Sequence, residues 1–140
     1  SSLDELAKRI AVDDRVHFAG FRKNIETVMT ECDVLVFPSK HEGLPVSVME
    51  AMASRLPIIA SPIRGIDTDL LIDGESGLLL ESVDSEHIAE AVSRLMGSKE
   101  LGNRLADKAK KDVQEFAIDA IVERMASLYK TKVMFDGQSA

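Results

Sequence analysis

Tryptophan is absent from this 140-residue chain, and cysteine occurs once, at Cys32. A single thiol cannot close an internal disulfide. Cys32 falls at helical spacing with Ile25, Val28 and Met29, so it is expected to be buried among them and carries no redox argument. Long apolar runs are also lacking, and nothing approaches the roughly 20 residues of a membrane-spanning helix. Ser1 to Arg9 read as an amphipathic polar helix and not as the charged stub and apolar block of an export signal, so a cytoplasmic location is expected. Clustered Lys and Arg are scarce too. With 17 basic against 24 acidic residues and a net charge of -7, the chain is a poor match for a phosphate backbone, which disfavours nucleic acid as a partner. His17 and His87 have no second histidine or cysteine at ligand spacing, so no metal site is expected.

What is present is an ordinary globular balance, 45% hydrophobic and 29% charged, over a length that can bury one core but hardly two. Leu3, Leu6, Ala7 and Ile10 fall at helical spacing, and Val16-His17-Phe18 reads as a short strand stopped by Gly20. Asn24 can cap a helix whose apolar face is Ile25, Val28, Met29 and Cys32. Two unbroken apolar runs follow, Val34-Leu35-Val36-Phe37 and Ile58-Ile59-Ala60, with a helical segment from Pro45 to Arg55 between them. Runs without polar alternation suggest strands covered on both faces, and the strand-helix-strand order suggests parallel pairing. The turn Asp73-Gly74-Glu75-Ser76-Gly77 leads into a third short strand, Leu78-Leu79-Leu80. Three helical stretches complete the chain. They are marked by Ile88, Val92, Leu95 and Met96, capped near Asp84 or Ser85; by Leu101, Leu105 and Ala109; and by Ile121, Met125, Leu128 and Tyr129. The fold class is α/β, a doubly wound parallel sheet with a helical C-terminal third.

In an open parallel sheet, ligands bind beyond the carboxyl ends of the strands, and Pro38-Ser39-Lys40-His41-Glu42-Gly43-Leu44-Pro45 leaves such an end. Gly43 lets backbone approach a ligand closely, and Pro45 suits the first helical turn. The N–H groups of Val46 and Ser47 would then point out of a helix N-terminus as an anion site. The helix is apolar nearly all round, with Val46, Val48, Met49, Ala51, Met52 and Ala53, and Glu50 is its one internal charge. A glutamate on a buried helix needs a partner. Ser47, Glu50 and Ser54 share one stripe, which faces either a ligand or solvent.

This loop, continued through Glu50-Ala51-Met52-Ala53, resembles the donor-site motif of retaining GT-B glycosyltransferases, family four in the carbohydrate-enzyme classification. The likeness extends upstream to Val16-His17-Phe18-Ala19-Gly20-Phe21 and downstream to Asp73-Gly74-Glu75-Ser76-Gly77-Leu78, covering most of residues 3 to 130 in order. It implies a Rossmann-like, partial C-terminal domain of a GT-B fold, with residues 1–133 binding a nucleotide sugar. Residues 134–140 have nothing to pack and are expected to form a disordered tail. By the same resemblance Glu42 contacts the hydroxyls of the transferred sugar and is the catalytic residue, and the amides of Gly43 and Leu44 help hold that sugar. Glu50 takes the ribose hydroxyl pair, the Val46 and Ser47 N–H groups face the pyrophosphate, and backbone near Phe21 and Arg22 faces the base. A carboxylate suits the first and third of these tasks because it accepts from two vicinal hydroxyls at once. The implied donor is a UDP-sugar or GDP-sugar with no further cofactor. The implied acceptor is a saccharide or a lipid-linked one, in bacterial surface-polysaccharide assembly, with the full-length enzyme peripheral at the inner face of the membrane.

Plainer readings compete at each position. Glu42 could be a solvated loop residue, Glu50 an exposed helix glutamate and His41 a loop-packing histidine. Asp67-Thr68-Asp69 imitates a metal-binding Asp-x-Asp, but Asp67 more simply caps a short helix. The resemblance also implies a first domain with the acceptor pocket, and an Arg and a Lys that neutralise the leaving pyrophosphate, ahead of Ser1. Lys40 and Arg64 do not match that pair, so this segment by itself is expected not to turn over. A nucleotide-sugar epimerase of the same fold and a non-catalytic α/β binding module are the rival readings.

Overall fold

Ser2 and Glu5 close a capping box at the start of helix α1 (Leu3–Arg9). The serine hydroxyl accepts from the Glu5 N–H, and the Glu5 carboxylate accepts from the Ser2 N–H at 3.0 Å. The computed structural model describes residues 2–66, 70–123 and 125–127. After α1 come α2 (Ile25–Thr30), β1 (Leu35–Phe37), α3 (Val46–Ala53), β2 (Ile58–Ala60), β3 (Leu78–Leu79), α4 (Ser85–Met96) and α5 (Lys99–Asp112). A 3-10 turn at Val113–Phe116 and further helical residues at 118–123 and 125–127 follow.

The three strands form one parallel sheet in the order β1-β2-β3, with Leu35 opposite Ile58, Val36 opposite Ile59 and Phe37 opposite Ala60. Side chains alternate across a strand, so β2 divides the core in two. Ile58 and Ala60 pack with Val48, Ala51 and Met52 of α3, together with Ile66 and Leu71. Ile59 packs on the other face with Leu78, Leu80, Leu95 of α4 and Leu105 of α5. Helices therefore cover both faces, the doubly wound α/β arrangement that the strand order implied. α3 is also pinned at its far end: Arg55, held at a positive φ of 59°, forks onto the Asp107 carboxylate of α5, with Nη2 to Oδ2 at 3.0 Å. That hydrogen bond raises the Arg55 pKa and lowers that of Asp107.

Several expectations need correction. Val16-His17-Phe18 is not a strand: the segment pairs with no described strand, and Val16 and Phe18 stay 42% and 49% exposed. A short extended segment needs a ladder partner to become a strand. β1 is half-buried throughout and not buried on both faces, because it is the edge of the sheet while β2 is its fully buried centre. Cys32 is exposed. α2 ends at Thr30, so the thiol has left the helical face that buries Met29 and donates instead to the Val28 carbonyl at 3.2 Å. Asn24 stands at the N-cap of α2 but makes no side-chain cap bond. The third C-terminal helical stretch is present at 118–123 and 125–127, yet Ile118, Ile121, Val122 and Met125 on it are exposed. Asp67-Thr68-Asp69, Leu128, Tyr129 and the tail at 134–140 lie outside the described residues.

Asp84 is the N-cap of α4. Its carboxylate accepts from the Glu86 and His87 N–H groups at 3.0 Å each and lies 2.8 Å from His87 Nδ1. The hydrogen bond to Asp84 holds the His87 pKa above its ordinary 6.5, and the bonds from His87 hold Asp84 well below the usual carboxylate range.

Two stability outcomes follow from this packing. Leu105→Ala, which empties a fully buried position between β2 and α5, should cost about 2–5 kcal/mol in urea unfolding. The imidazolium of His87 is favoured by folding, so its contribution is complete below about 6.5 and is lost as pH rises through the raised folded value. The thermal midpoint of the wild type should therefore exceed that of His87→Gln most at pH 6, and the gap should close toward pH 9. A gap independent of pH would refute the assignment.

Candidate functional site

Parallel pairing in register places the carboxyl ends of β1 and β2 side by side, so the loops that follow Phe37 and Ala60 start at one edge. Ser61, fully buried, fastens them: its N–H donates to the Phe37 carbonyl at 3.1 Å and its hydroxyl to the same oxygen at 3.4 Å. The loops meet again at their tips. Gly65 adopts a φ of 91°, a conformation that side-chain-bearing residues rarely take, and a Cβ there would stand 3.6 Å from the Gly43 carbonyl oxygen.

The first loop carries Ser39, Lys40, His41, Glu42 and Gly43 into α3. Glu42 is exposed, and its Oε1 accepts from the Ser39 hydroxyl at 2.7 Å. Where a Cβ on Gly43 would project there is open space, so the backbone beside Glu42 is accessible to a ligand. Leu44 and Val46 are exposed apolar side chains on the same stretch. Pro45 is buried, and its carbonyl receives the N–H groups of Val48 at 3.0 Å and Met49 at 3.3 Å.

The N-terminus of α3 differs from expectation at one position. Val46 N–H does not point outward. It donates to the Leu44 carbonyl at 2.9 Å, closing a three-residue turn about Pro45, whose φ of -79° and ψ of 73° suit that turn. Ser47 N–H is the one left without a partner among the described residues. The helix is also not buried all round. Val48, Ala51 and Met52 are buried, whereas Val46, Ser47 and Ala53 are exposed. Glu50 lies on the boundary, half-buried, with no hydrogen bond or ion pair from its carboxylate among the described residues.

Glu42, Gly43, Leu44, Val46, Ser47 and Glu50 thus lie on one continuous stretch of loop and helix. Phe21 and Arg22 lie on the coil before α2, Phe21 being 89% exposed, and no hydrogen bond or ion pair among the described residues ties them to that stretch. Lys40 and Arg64 stand exposed on the two loops without an ion pair among the described residues, and His41 is exposed. Cavities among the described residues lie elsewhere. One of about 300 Å³ is lined by Asp73, Leu79, His87, Glu90 and Arg94 between β3 and α4. One of about 380 Å³, with Cys32, Asp33, Arg55 and Pro57, sits at the opposite ends of β1 and β2. No group of three His, Cys, Asp or Glu residues among the described residues could hold a metal ion. Sequence reasoning missed the Ser39 to Glu42 bond and the contact of Gly65 with the Gly43 loop. The three-residue spacing was the available signal for the first, whereas the second, across 22 positions, had none.

The family described as glycosyl transferases group 1 matches residues 1–112. Over 131 residues the chain is 33% identical to the putative glycosyltransferase EpsD of Bacillus subtilis strain 168, covering 94% of this chain and 34% of the relative. It is 30% identical over 132 residues to the lipopolysaccharide core biosynthesis glycosyltransferase LpsE of Rhizobium meliloti strain 1021, covering 94% of this chain and 38% of the relative. The chain therefore spans about a third of the length of these curated relatives. Among solved structures, HepE of Anabaena, crystallised in complex with UDP and glucose, aligns with a TM-score of 0.83 at 24% identity, over 92% of this chain and 35% of that one. That likeness shows a common fold.

The two glycines make separable predictions. Gly65→Ala should destabilise the protein by about 1–3 kcal/mol through its positive φ. Gly43→Ala, in open space, should stay within about 0.5 kcal/mol of the wild type in the same unfolding experiment.

Proposed function

Because this chain belongs to the glycosyl transferases group 1 family, we propose that it is the donor-binding part of a glycosyltransferase, moving a sugar from a UDP-sugar or GDP-sugar to a saccharide or lipid-linked acceptor. One observation carries the reading: Glu42 on the loop that leaves β1, exposed beside open backbone, and Glu50 on the following helix α3, half-buried without a partner among the described residues. The UDP and glucose in HepE and the name of LpsE support a nucleotide-sugar donor and a surface-polysaccharide setting.

In this reading residues 1–133 hold the donor and a further domain supplies the acceptor pocket. Glu42 is the catalytic residue, and the amides of Gly43 and Leu44 hold the transferred sugar beside it. Glu50 accepts from the ribose hydroxyls, which would give its half-buried carboxylate the partners it lacks among the described residues. Ser47 N–H, unpaired among the described residues at the start of an eight-residue helix, meets the pyrophosphate; Val46 contributes its position and not its spent N–H. Phe21 and Arg22 border the base. No cofactor beyond the donor is invoked. No described helix is long and apolar enough to cross a membrane, and the proposed location is cytoplasmic, at the inner membrane face.

Positive charge builds at the anomeric carbon as the bond to pyrophosphate breaks. A carboxylate fixed beside the ring orients the sugar and favours that charge, and most of the help appears in the transition state. Glu42→Gln in the intact natural protein should therefore lower kcat by about a hundred-fold or more while nucleotide affinity changes little. Glu50→Ala should do the converse, weakening nucleotide binding by calorimetry by about 1.5–3 kcal/mol, roughly ten-fold to over one hundred-fold. Equal nucleotide affinity in Glu50→Ala, or undiminished kcat in Glu42→Gln, would overturn the respective role.

A further inference from the structure

Ser39 is half-buried near the root of the first loop, two residues beyond a strand end whose carbonyl is held by Ser61. Its hydroxyl has one proton to give and two acceptors within reach, Glu42 Oε1 at 2.7 Å and the His41 carbonyl at 3.3 Å. The shorter contact goes to the charged oxygen, in the range of charge-assisted O–H···O⁻ bonds. Glu42 is exposed on a loop, and among the described residues Ser39 is the one hydrogen-bond partner of its carboxylate. Without that bond nothing described here would hold the glutamate's torsions in one setting. With it, Oε1 is tethered while Oε2 keeps its lone pairs free to accept from a ligand hydroxyl.

We infer that Ser39 is the positioning residue of the sugar site, holding Glu42 in one rotamer so that the site discriminates between sugars differing in the direction of a single hydroxyl. A fixed carboxylate meets one arrangement of hydroxyls well; a mobile one follows either arrangement and meets neither at full strength. This inference rests on the proposed role of Glu42 as the group that faces the transferred sugar.

The test has a structural arm and a kinetic arm. Side-chain scalar couplings of Glu42, measured by NMR on this chain, should report one fixed χ1 in the wild type, rotamer averaging in Ser39→Ala and restoration in Ser39→Thr, which keeps the hydroxyl. In the intact natural protein Ser39→Ala should lower kcat by about tenfold, the worth of one charge-assisted hydrogen bond. Its KM for the donor should change less than about twofold. Ser39→Ala should also narrow the kcat/KM gap between a UDP-hexose and its epimer, and add no further loss on a Glu42→Ala background, where the acceptor of the Ser39 hydroxyl is gone. Averaged Glu42 couplings in the wild type would overturn the inference, as would fully additive losses in the double variant. Absence of sugar transfer by the wild-type natural protein would tell against the functional reading alone, and the Glu42 couplings would then uphold or overturn the Ser39 contact by themselves.

Discussion

Everything at the candidate site depends on β2 running parallel to β1 and in register with it. Antiparallel strands would send their following loops to opposite ends of the sheet; parallel ones deliver both to a single edge. The pairing of Phe37 with Ala60 sets the level of that edge, and buried Ser61, giving both its N–H and its hydroxyl to the Phe37 carbonyl, extends the ladder one step into the loops. From there the loops stay close enough for Gly65 to reach the Gly43 carbonyl. Parallel pairing also requires a crossover, and that crossover is α3, the element that carries Glu50. One hydrogen-bonding pattern thus places both glutamates.

α3 serves core and surface with opposite sides. Val48, Ala51 and Met52 fill the space above Ile58 and Ala60, which fixes the rotation of the helix about its axis and leaves Ser47 exposed and Glu50 at the boundary. The Arg55 fork onto Asp107 fixes its far end, at a backbone conformation that a non-glycine residue adopts at some cost. Pro45 shapes its near end by turning the Val46 N–H back on Leu44, so the Ser47 N–H is the donor left without a partner there among the described residues. The free backbone donor, the boundary glutamate and the loop glutamate are consequences of how one short helix is clamped.

The chain belongs to the glycosyl transferases group 1 family and shares its fold with HepE. The described surface is richer in hydroxyl acceptors than in cations. Under the proposed function its carboxylates would face the sugar and ribose ends of a nucleotide sugar. Lys40 and Arg64 stand exposed on the two loops, without ion pairs among the described residues.

Apolar runs without alternation identified β1, β2 and β3, and the interval between the first two strands was read as a helix. A cap of α4 at Asp84 or Ser85 was legible from residue type, because a short polar side chain before an amphipathic run has a local use, and the structure makes it Asp84. The loop from Pro38 to Pro45 stood out for the same reason: a glycine, a proline and a glutamate act through their own backbone and charge, and need no distant partner to be noticed. Burial was not legible. Val16-His17-Phe18 has a strand's composition but no ladder partner among the described strands, and Cys32 has a buried residue's spacing but lies past the end of its helix. Ser39's bond to Glu42, the retreat of the Val46 N–H and the meeting of Gly65 with Gly43 depend on dihedral angles and on contacts between segments far apart in the chain. The sequence by itself determined which residues could bear the chemistry and the α/β order that brings them to strand ends, since both follow from local pattern. Only the tertiary structure decided which of their donors and acceptors remain free, because a hydrogen bond once made within the fold is no longer available to a ligand.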